Sequence, residues 1–217
     1  MRNLLSAVWR RATEMRRDCR AIAATEFAVI VPLMLVMFFG TVEFSSGVAV
    51  DRKLTIVART LSDLTSQSPP SSPNSVKSTV DDNYLQNIFT ASIAILQPYS
   101  PTPVKAQLSE IYVDSNNVAK VQWSKAATIG SGATQATLAT STRTAGDVVT
   151  TLPAQLSVKQ TYLIFSEVSY LYIPIIGYVM AKTGVNLKDV TYTRPRQVAC
   201  VVYNGVPAPA PNDCPTP

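Results

Sequence analysis

The fold is decided by residues 20–44, which read RAIAATEFAVIVPLMLVMFFGTVEF. Residues 27–42 carry no charge, and extending the window back to Ala21 adds one acid, Glu26. A helix needs about 20 apolar residues to cross a bilayer, so the sequence predicts a membrane-spanning helix. The alternative is a cleaved secretory signal peptide, although its apolar run is usually shorter and Glu26 is badly placed for one.

The net charge of the chain is concentrated before this helix. The chain has 19 basic and 14 acidic residues, a net charge of +5. Residues 1–20 hold six arginines against Glu14 and Asp18, so the rest is almost neutral and no nucleic-acid partner is expected. The positive-inside rule predicts a single-pass protein with a cytoplasmic N-terminus and the rest of the chain outside. In a diderm bacterium this means the inner membrane with a periplasmic C-terminal domain.

The composition also limits the chemistry. The chain has no histidine, which excludes a Ser-His-Asp triad, a Cys-His dyad and a His-ligated metal site. An anchored hydrolase would have to use carboxylates such as Glu110, Asp114 or Glu167, because two acids can support glycoside hydrolysis. These acids show no diagnostic spacing. We therefore predict no enzyme activity, no cofactor, no metal and no small-molecule substrate.

Glu26 is the residue of the apolar helix that needs an explanation. An acid inside an apolar span costs about 2.5–3.5 kcal/mol on insertion scales. Either the side chain extends from near the helix end to the membrane interface, or the carboxylate has a partner in an assembly. Pro32 lacks a backbone N–H and disrupts the preceding turn, as in an ordinary transmembrane kink.

Several features of this stretch occur together. Basic residues precede a small residue, Ala21, which is followed by four mostly apolar residues, Glu26-Phe27 and a long apolar run. Pro32-Leu33 and a late Gly-x-x-Glu-Phe motif at 40–44 complete the pattern. The stretch resembles a type IV prepilin junction, and more closely the TadE-like proteins of the Tad (Flp) pilus system.

The resemblance implies a minor pilin-like (pseudopilin) subunit or assembly factor of a Tad-type pilus, of the TadE or the related TadF kind. A membrane prepilin peptidase would cut between Ala21 and Ile22, although the family usually has glycine before the cut. Glu26 would then be the fifth mature residue, able to pair with the new amine at Ile22 of a neighbouring subunit. Pro32 would permit local melting of the helix during assembly. The expected partners are the membrane, the peptidase, other pilin or pseudopilin subunits and the Tad inner-membrane platform.

Together with this helix, the remaining chain predicts an α+β fold. A long pilin-like spine helix would precede a second helix packed on a small antiparallel sheet. Three segments follow: a cytoplasmic basic leader at 1–21, the transmembrane spine helix at 22–65, and a periplasmic head with a Pro-rich C-terminal tail at 66–217. The apolar stripe of the spine continues through 51–65. Within the head we predict a linker at 66–75 and a helix at 76–96. Two hairpin strands follow at 104–113 and 118–124, and then a loop at 126–147.

The stretch 160–181 has two interpretations. It carries one charge in 22 residues and could cross the membrane. We favour a strand followed by a loop, because it is rich in Tyr, Ile and Val and is interrupted by Pro174 and Gly177. Weaker similarity to the TadE-like family also falls on residues 167–174 and on a strand at 191–196.

The three cysteines lie in different environments. Cys19 precedes the helix, on the side where thiols stay reduced. Cys200 and Cys214 would lie in the oxidising periplasm and enclose a segment rich in Pro, Gly and Asn, so we predict that they form a disulfide.

An alternative for the whole chain is a membrane-anchored periplasmic binding or scaffold protein unrelated to pili.

Overall fold

The computed structural model describes residues 19–174 and 183–204, with side chains from Ile22 onward. These residues form two compact units: an N-terminal unit of residues 19–46 with Pro174, and a C-terminal unit of residues 47–173 and 183–204. In chain order the elements are α1 (Cys19–Ser66), β1 (Lys77–Val80), α2 (Asp82–Ile93), β2 (Val104–Val113), β3 (Ala119–Thr128), β4 (Thr137–Ala139), β5 (Thr161–Tyr172), β6 (Val185–Thr193) and β7 (Cys200–Tyr203).

The surroundings of helix α1 change along its length. Its seven consecutive apolar residues at 33–39 are all exposed, by 40% to 67% of their surface, and they cover every side of the helix. Within the C-terminal unit, by contrast, α1 buries one face completely. The predicted apolar stripe is therefore confirmed, with fully buried side chains at Val50, Leu54, Val57, Ala58 and Leu61.

The C-terminal unit is built on a five-stranded antiparallel sheet in the order β4-β3-β2-β5-β6. Alternate residues of the central strands, such as Leu108 and Ile164, point to one face and share a core with α1 and with Phe89 of α2. On that face Ser166 Oγ donates a hydrogen bond of 2.7 Å to the carbonyl of Ala58 on α1. The predicted α+β class, with a second helix and an antiparallel sheet, is confirmed.

The helix predicted over 76–96 is wrong at its start. Residues 77–80 form β1, which pairs in parallel with β7. Helix α2 begins only after Asp81, whose carboxylate accepts a 2.8 Å hydrogen bond from Tyr84 N and caps the helix. Hydrophobic periodicity could not reveal this strand, because the partner strand β7 lies near the other end of the chain.

The other head elements are partly as predicted. The strands predicted at 104–113 and 118–124 are found as β2 and within the longer β3, and the strand predicted in 160–181 is β5. The loop predicted over 126–147 is wrong where β3 continues to Thr128 and where β4 adds a short edge strand. Strand β6 ends at Thr193, so only the first residues of the strand predicted at 191–196 are extended.

Gly184 provides a test of the β5–β6 hairpin. Its φ is +80°, and a Cβ there would lie 2.8 Å from the carbonyl oxygen of Tyr172. Gly184→Ala is expected to lower the free energy of unfolding by about 1–3 kcal/mol beyond the strain of its backbone. Gly132→Ala is the matched control, because Gly132 has φ +74° and nothing within 4 Å. Equal losses in urea unfolding would contradict the clash.

Candidate assembly site

The predicted assembly residues all lie on the exposed part of α1. Ile22 and Phe27 expose 58% and 69% of their surface, and Glu26 and Pro32 are also exposed. The Thr25 hydroxyl donates a 2.8 Å hydrogen bond to the carbonyl of Ile22, one turn earlier. Ala21 lies on the helix backbone, but its side chain falls outside the described residues.

The apolar part of α1 contains two acids in different surroundings. Glu43 exposes only 4% of its surface. Glu26 is exposed among exposed apolar side chains, so it is the acid that the helix presents to its surroundings. In a lipid environment such a carboxylate is costly until a partner charge reaches it.

Pro32 lies inside α1, which is helical from Cys19 to Ser66. Since proline has no N–H, the carbonyl of Ala28 lacks its usual donor from four residues ahead. The helix therefore lacks one backbone hydrogen bond at Ala28, two residues after Glu26. Whether the helix only bends there or melts during assembly stays a prediction.

Glu110 is buried on the face of the sheet that carries the main core. Its Oε1 accepts a 2.6 Å hydrogen bond from Val201 N on β7, and its Oε2 accepts one of 3.2 Å from Trp123 Nε1. Burial raises the pKa of Glu110 to about 8, although both hydrogen bonds favour the charged form. Its contacts join β2 to β7 and hence the five-stranded sheet to the two-stranded one.

The other two candidate carboxylates also make structural contacts. Glu167 accepts hydrogen bonds from Arg143 and, at 2.9 Å, from Gln107 Nε2. It is paired with Gln107 across β2 and β5, three residues from Glu110, so the two acids lie on opposite faces of the sheet. Asp114 accepts from the backbone N–H groups of Asn116 and Val118 in the β2–β3 turn. This arrangement does not form a catalytic pair.

Sequence reasoning missed Arg143. It pairs with Glu167 from within the segment predicted as a loop, and its guanidinium lies 5.0 Å from the ring centroid of Phe165. The available signal was that Arg143 is the only basic residue between 126 and 147. Within the described ranges, no group of three His, Cys, Asp or Glu side chains is placed to hold a metal ion.

The predicted disulfide involves one described cysteine. Cys200 lies in β7 and exposes 2% of its surface. Cys214 and the side chain of Cys19 lie outside the described residues. The disulfide between Cys200 and Cys214 stays a prediction.

These features define a broad class of protein. Of the described helices, α1 is the one long and apolar enough to cross a membrane, with a mean hydropathy of 2.3 in its apolar window, and none of that window is buried. An exposed apolar helix near the N-terminus followed by an α+β unit indicates a membrane-anchored protein.

Comparison with known families narrows this class. The model of the TadE-like protein family matches residues 21–61. The match confirms the resemblance over the segment that carries Glu26, Phe27 and Pro32, and it connects the chain with Tad pilus assembly. No curated protein and no solved structure matches the chain.

Proposed function

We propose that the protein is a minor pilin-like subunit or assembly factor of a Tad (Flp)-type pilus. The observation that carries the proposal is the TadE-like match over 21–61. The match begins at the predicted processing site and covers the exposed apolar helix with its exposed acid. The exposed apolar part of the spine helix at 22–65 would anchor the chain in the inner membrane, with residues 1–21 in the cytoplasm and the head at 66–217 in the periplasm.

The chemistry of assembly follows from the N-terminal end of α1. Cleavage between Ala21 and Ile22 removes the arginine-rich leader and creates a positive amine in an apolar environment. The Glu26 carboxylate lies four residues further, about 6 Å along the helix axis. A neighbouring subunit displaced by about this distance brings its Ile22 amine to Glu26, so that each charge is paired and the stagger between subunits is fixed.

The C-terminal unit supports the same proposal. Residues 50–61 of α1 provide part of the core, with five apolar side chains fully buried. The chain therefore cannot release this part of α1 without unfolding the core. The exposed part of the helix is left for lipids and for the helices of other pilin or pseudopilin subunits, and the platform and the prepilin peptidase would meet it in the membrane.

Mass spectrometry of the protein isolated from membranes tests the processing step. We expect a mature chain that begins at Ile22. Ala21→Gly is expected to leave the cut in place, whereas Ala21→Lys should block it, because the peptidase acts after a small residue. An intact Met1, or a cut after the apolar run, would contradict the pilin-like route.

A further inference from the structure

Strand β6 forms one edge of the five-stranded sheet. Among the described strands its only neighbour is β5, and it runs for nine residues without a proline, whereas β4 at the opposite edge has three residues. Val190 N donates a 2.7 Å hydrogen bond to the carboxylate of Asp189, so this N–H points away from β5. The edge therefore presents backbone groups that no described strand pairs with, which is the template on which another chain can add a strand.

An open groove lies between β6 and α1 on the core side of this edge. It encloses about 400 Å³ and is lined by Arg59, Thr60, Asp63, Thr191, Thr193 and Arg196. Ile56 precedes Thr60 by one helical turn on the same side of α1, and it exposes 49% of its surface. A strand added beside β6 would direct every second side chain over this groove, towards Ile56.

The other face of the edge, which is turned away from α1, carries two unpaired cations. Lys105 of β2 and Lys188 of β6 are both exposed, and they flank Ser169 of β5 from its two sides. Within the described ranges, no carboxylate lies within salt-bridge distance of either lysine. Glu167, two residues along this face, is already paired with Arg143. The lysines are therefore available to a carboxylate from outside the chain.

We propose that the edge of β6 binds an extended acidic segment of a partner protein, which joins the sheet as a sixth strand. One carboxylate of the segment lies opposite Lys188 as a cross-strand ion pair, and Lys105 adds positive charge two strands further in. On the other face, side chains of the segment pack over the groove beside Ile56. Arg59 lines that groove and has no carboxylate partner among the described residues.

The two parts of this contact have separate roles. Backbone pairing along the edge supplies affinity for an extended chain of any sequence, and the cations select an acidic one. All the residues involved belong to the C-terminal unit, so the inference holds whether or not the protein belongs to a pilus. Its failure would leave the proposed processing at Ile22 untouched.

Fluorescence anisotropy with the full chain in detergent tests the strand addition. The probe is a labelled, end-capped peptide of nine residues in which valine alternates with aspartate or threonine. A matched peptide carries lysine in place of each aspartate. Two further peptides carry N-methyl groups on the odd or on the even amides, so that each has one edge that cannot pair with a strand.

We expect the acidic peptide to bind, the lysine peptide to bind more weakly, and one of the two methylated peptides to lose binding. Lys188→Gln should weaken the binding of the acidic peptide by about two- to fivefold, the range of a cross-strand ion pair. Lys159→Gln is the matched control and should leave binding unchanged, because Lys159 is exposed and lies before β5, beyond the residues that pair with β6.

Val190→Pro tests the edge itself. Proline removes no hydrogen bond to β5 there, so urea unfolding should stay the same while the acidic peptide no longer binds. Binding that survives methylation of either edge would be an attraction between charges alone and would overturn the added strand, as would the absence of binding. Self-association of the full chain that Val190→Pro abolishes would assign the edge to a second copy and overturn the acidic partner.

Discussion

Glu26→Ala is expected to abolish pilus assembly while the protein remains in the membrane at its normal level. The substitution removes the acid that α1 exposes among apolar side chains, so insertion of the helix becomes easier by about 2.5–3.5 kcal/mol. Assembly, in contrast, becomes less favourable, because the same carboxylate is needed as a counter-charge between subunits. The Ile22 amine of the neighbouring subunit loses its counter-charge in an apolar environment, and removing one partner of a buried pair costs about 3–5 kcal/mol.

Two further variants separate charge from shape. Glu26→Gln keeps the size and polarity of the side chain but not its charge, and it is expected to fail almost as completely as Glu26→Ala. Thr25→Ala is the matched control, because Thr25 is the exposed neighbour and its hydroxyl bonds only within the helix. The measurements are counts of assembled pili and the amount of protein in the membrane fraction. Normal piliation with Glu26→Ala would instead favour an anchored scaffold protein unrelated to pili.

The sequence predicted the elements that depend on local periodicity. The fully buried face of α1 from Leu54 to Leu61 follows a three- and four-residue spacing, and the two strands predicted at 104–113 and 160–181 carry β-branched and aromatic side chains. Each of these patterns lies within a single helix or strand. They could therefore be recognised without any knowledge of what the element packs against.

The parts that were missed depend on distant pairing. Strand β1 exists because its backbone pairs with β7, and β4 exists because three residues reach the edge of β3. Arg143 gains its position from Glu167 on a strand that follows later in the chain. Contacts between distant residues produce no periodicity in a short stretch of sequence. The sequence therefore predicts a loop at 126–147 and a longer helix at 76–96.

Glu110 could be recognised as an acid within a strand, but not as a buried one. The alternation of its neighbours places Glu110 on the same strand face as the apolar Ala106 and Leu108, but its complete burial comes from β7, which covers it. The prediction of a structural role for this carboxylate follows only from the structure. It leads to the largest expected effect on stability.

The free energy of unfolding is expected to fall as the pH rises from about 4.5 to about 8. An unperturbed glutamate carboxyl has a pKa of 4.5, and burial raises the pKa of Glu110 to about 8. Below pH 4.5 the group is neutral in both the folded and the unfolded chain, and the stability is fully present. Between the two values the unfolded chain loses the proton while the folded chain keeps it, so stability decreases, by roughly 5 kcal/mol in total. Above pH 8 both forms are charged and this contribution no longer changes.

Three aspartates titrate below this pH window and one lysine titrates above it. The pKa values of Asp82, Asp114 and Asp147 are lowered from 3.8 by hydrogen bonds, from the Tyr203 hydroxyl for Asp82 and from backbone N–H groups for the other two. Their stabilisation is therefore lost only as the pH falls below about 4. The pKa of Lys125 is raised above 10.5 by its contact with Tyr203, which acts at the alkaline end.

Glu110→Gln tests the assignment, because glutamine keeps the volume of the side chain but does not titrate. Its amide oxygen can accept from Val201 N, while its NH2 group meets the Trp123 donor. At about pH 4.5 and below, where Glu110 is neutral, we therefore expect the substitution to lower the free energy of unfolding by about 1–3 kcal/mol. The fall in stability between pH 4.5 and 8 should then disappear. Asp114→Asn is the matched control and should keep that fall, because its carboxylate titrates below the window. Urea unfolding of the full chain in detergent, repeated across this pH range, measures both slopes. An unchanged slope in Glu110→Gln would show that another group carries the pH dependence, whereas a flat profile would identify Glu110 as the residue that makes the junction between β2 and β7 sensitive to pH.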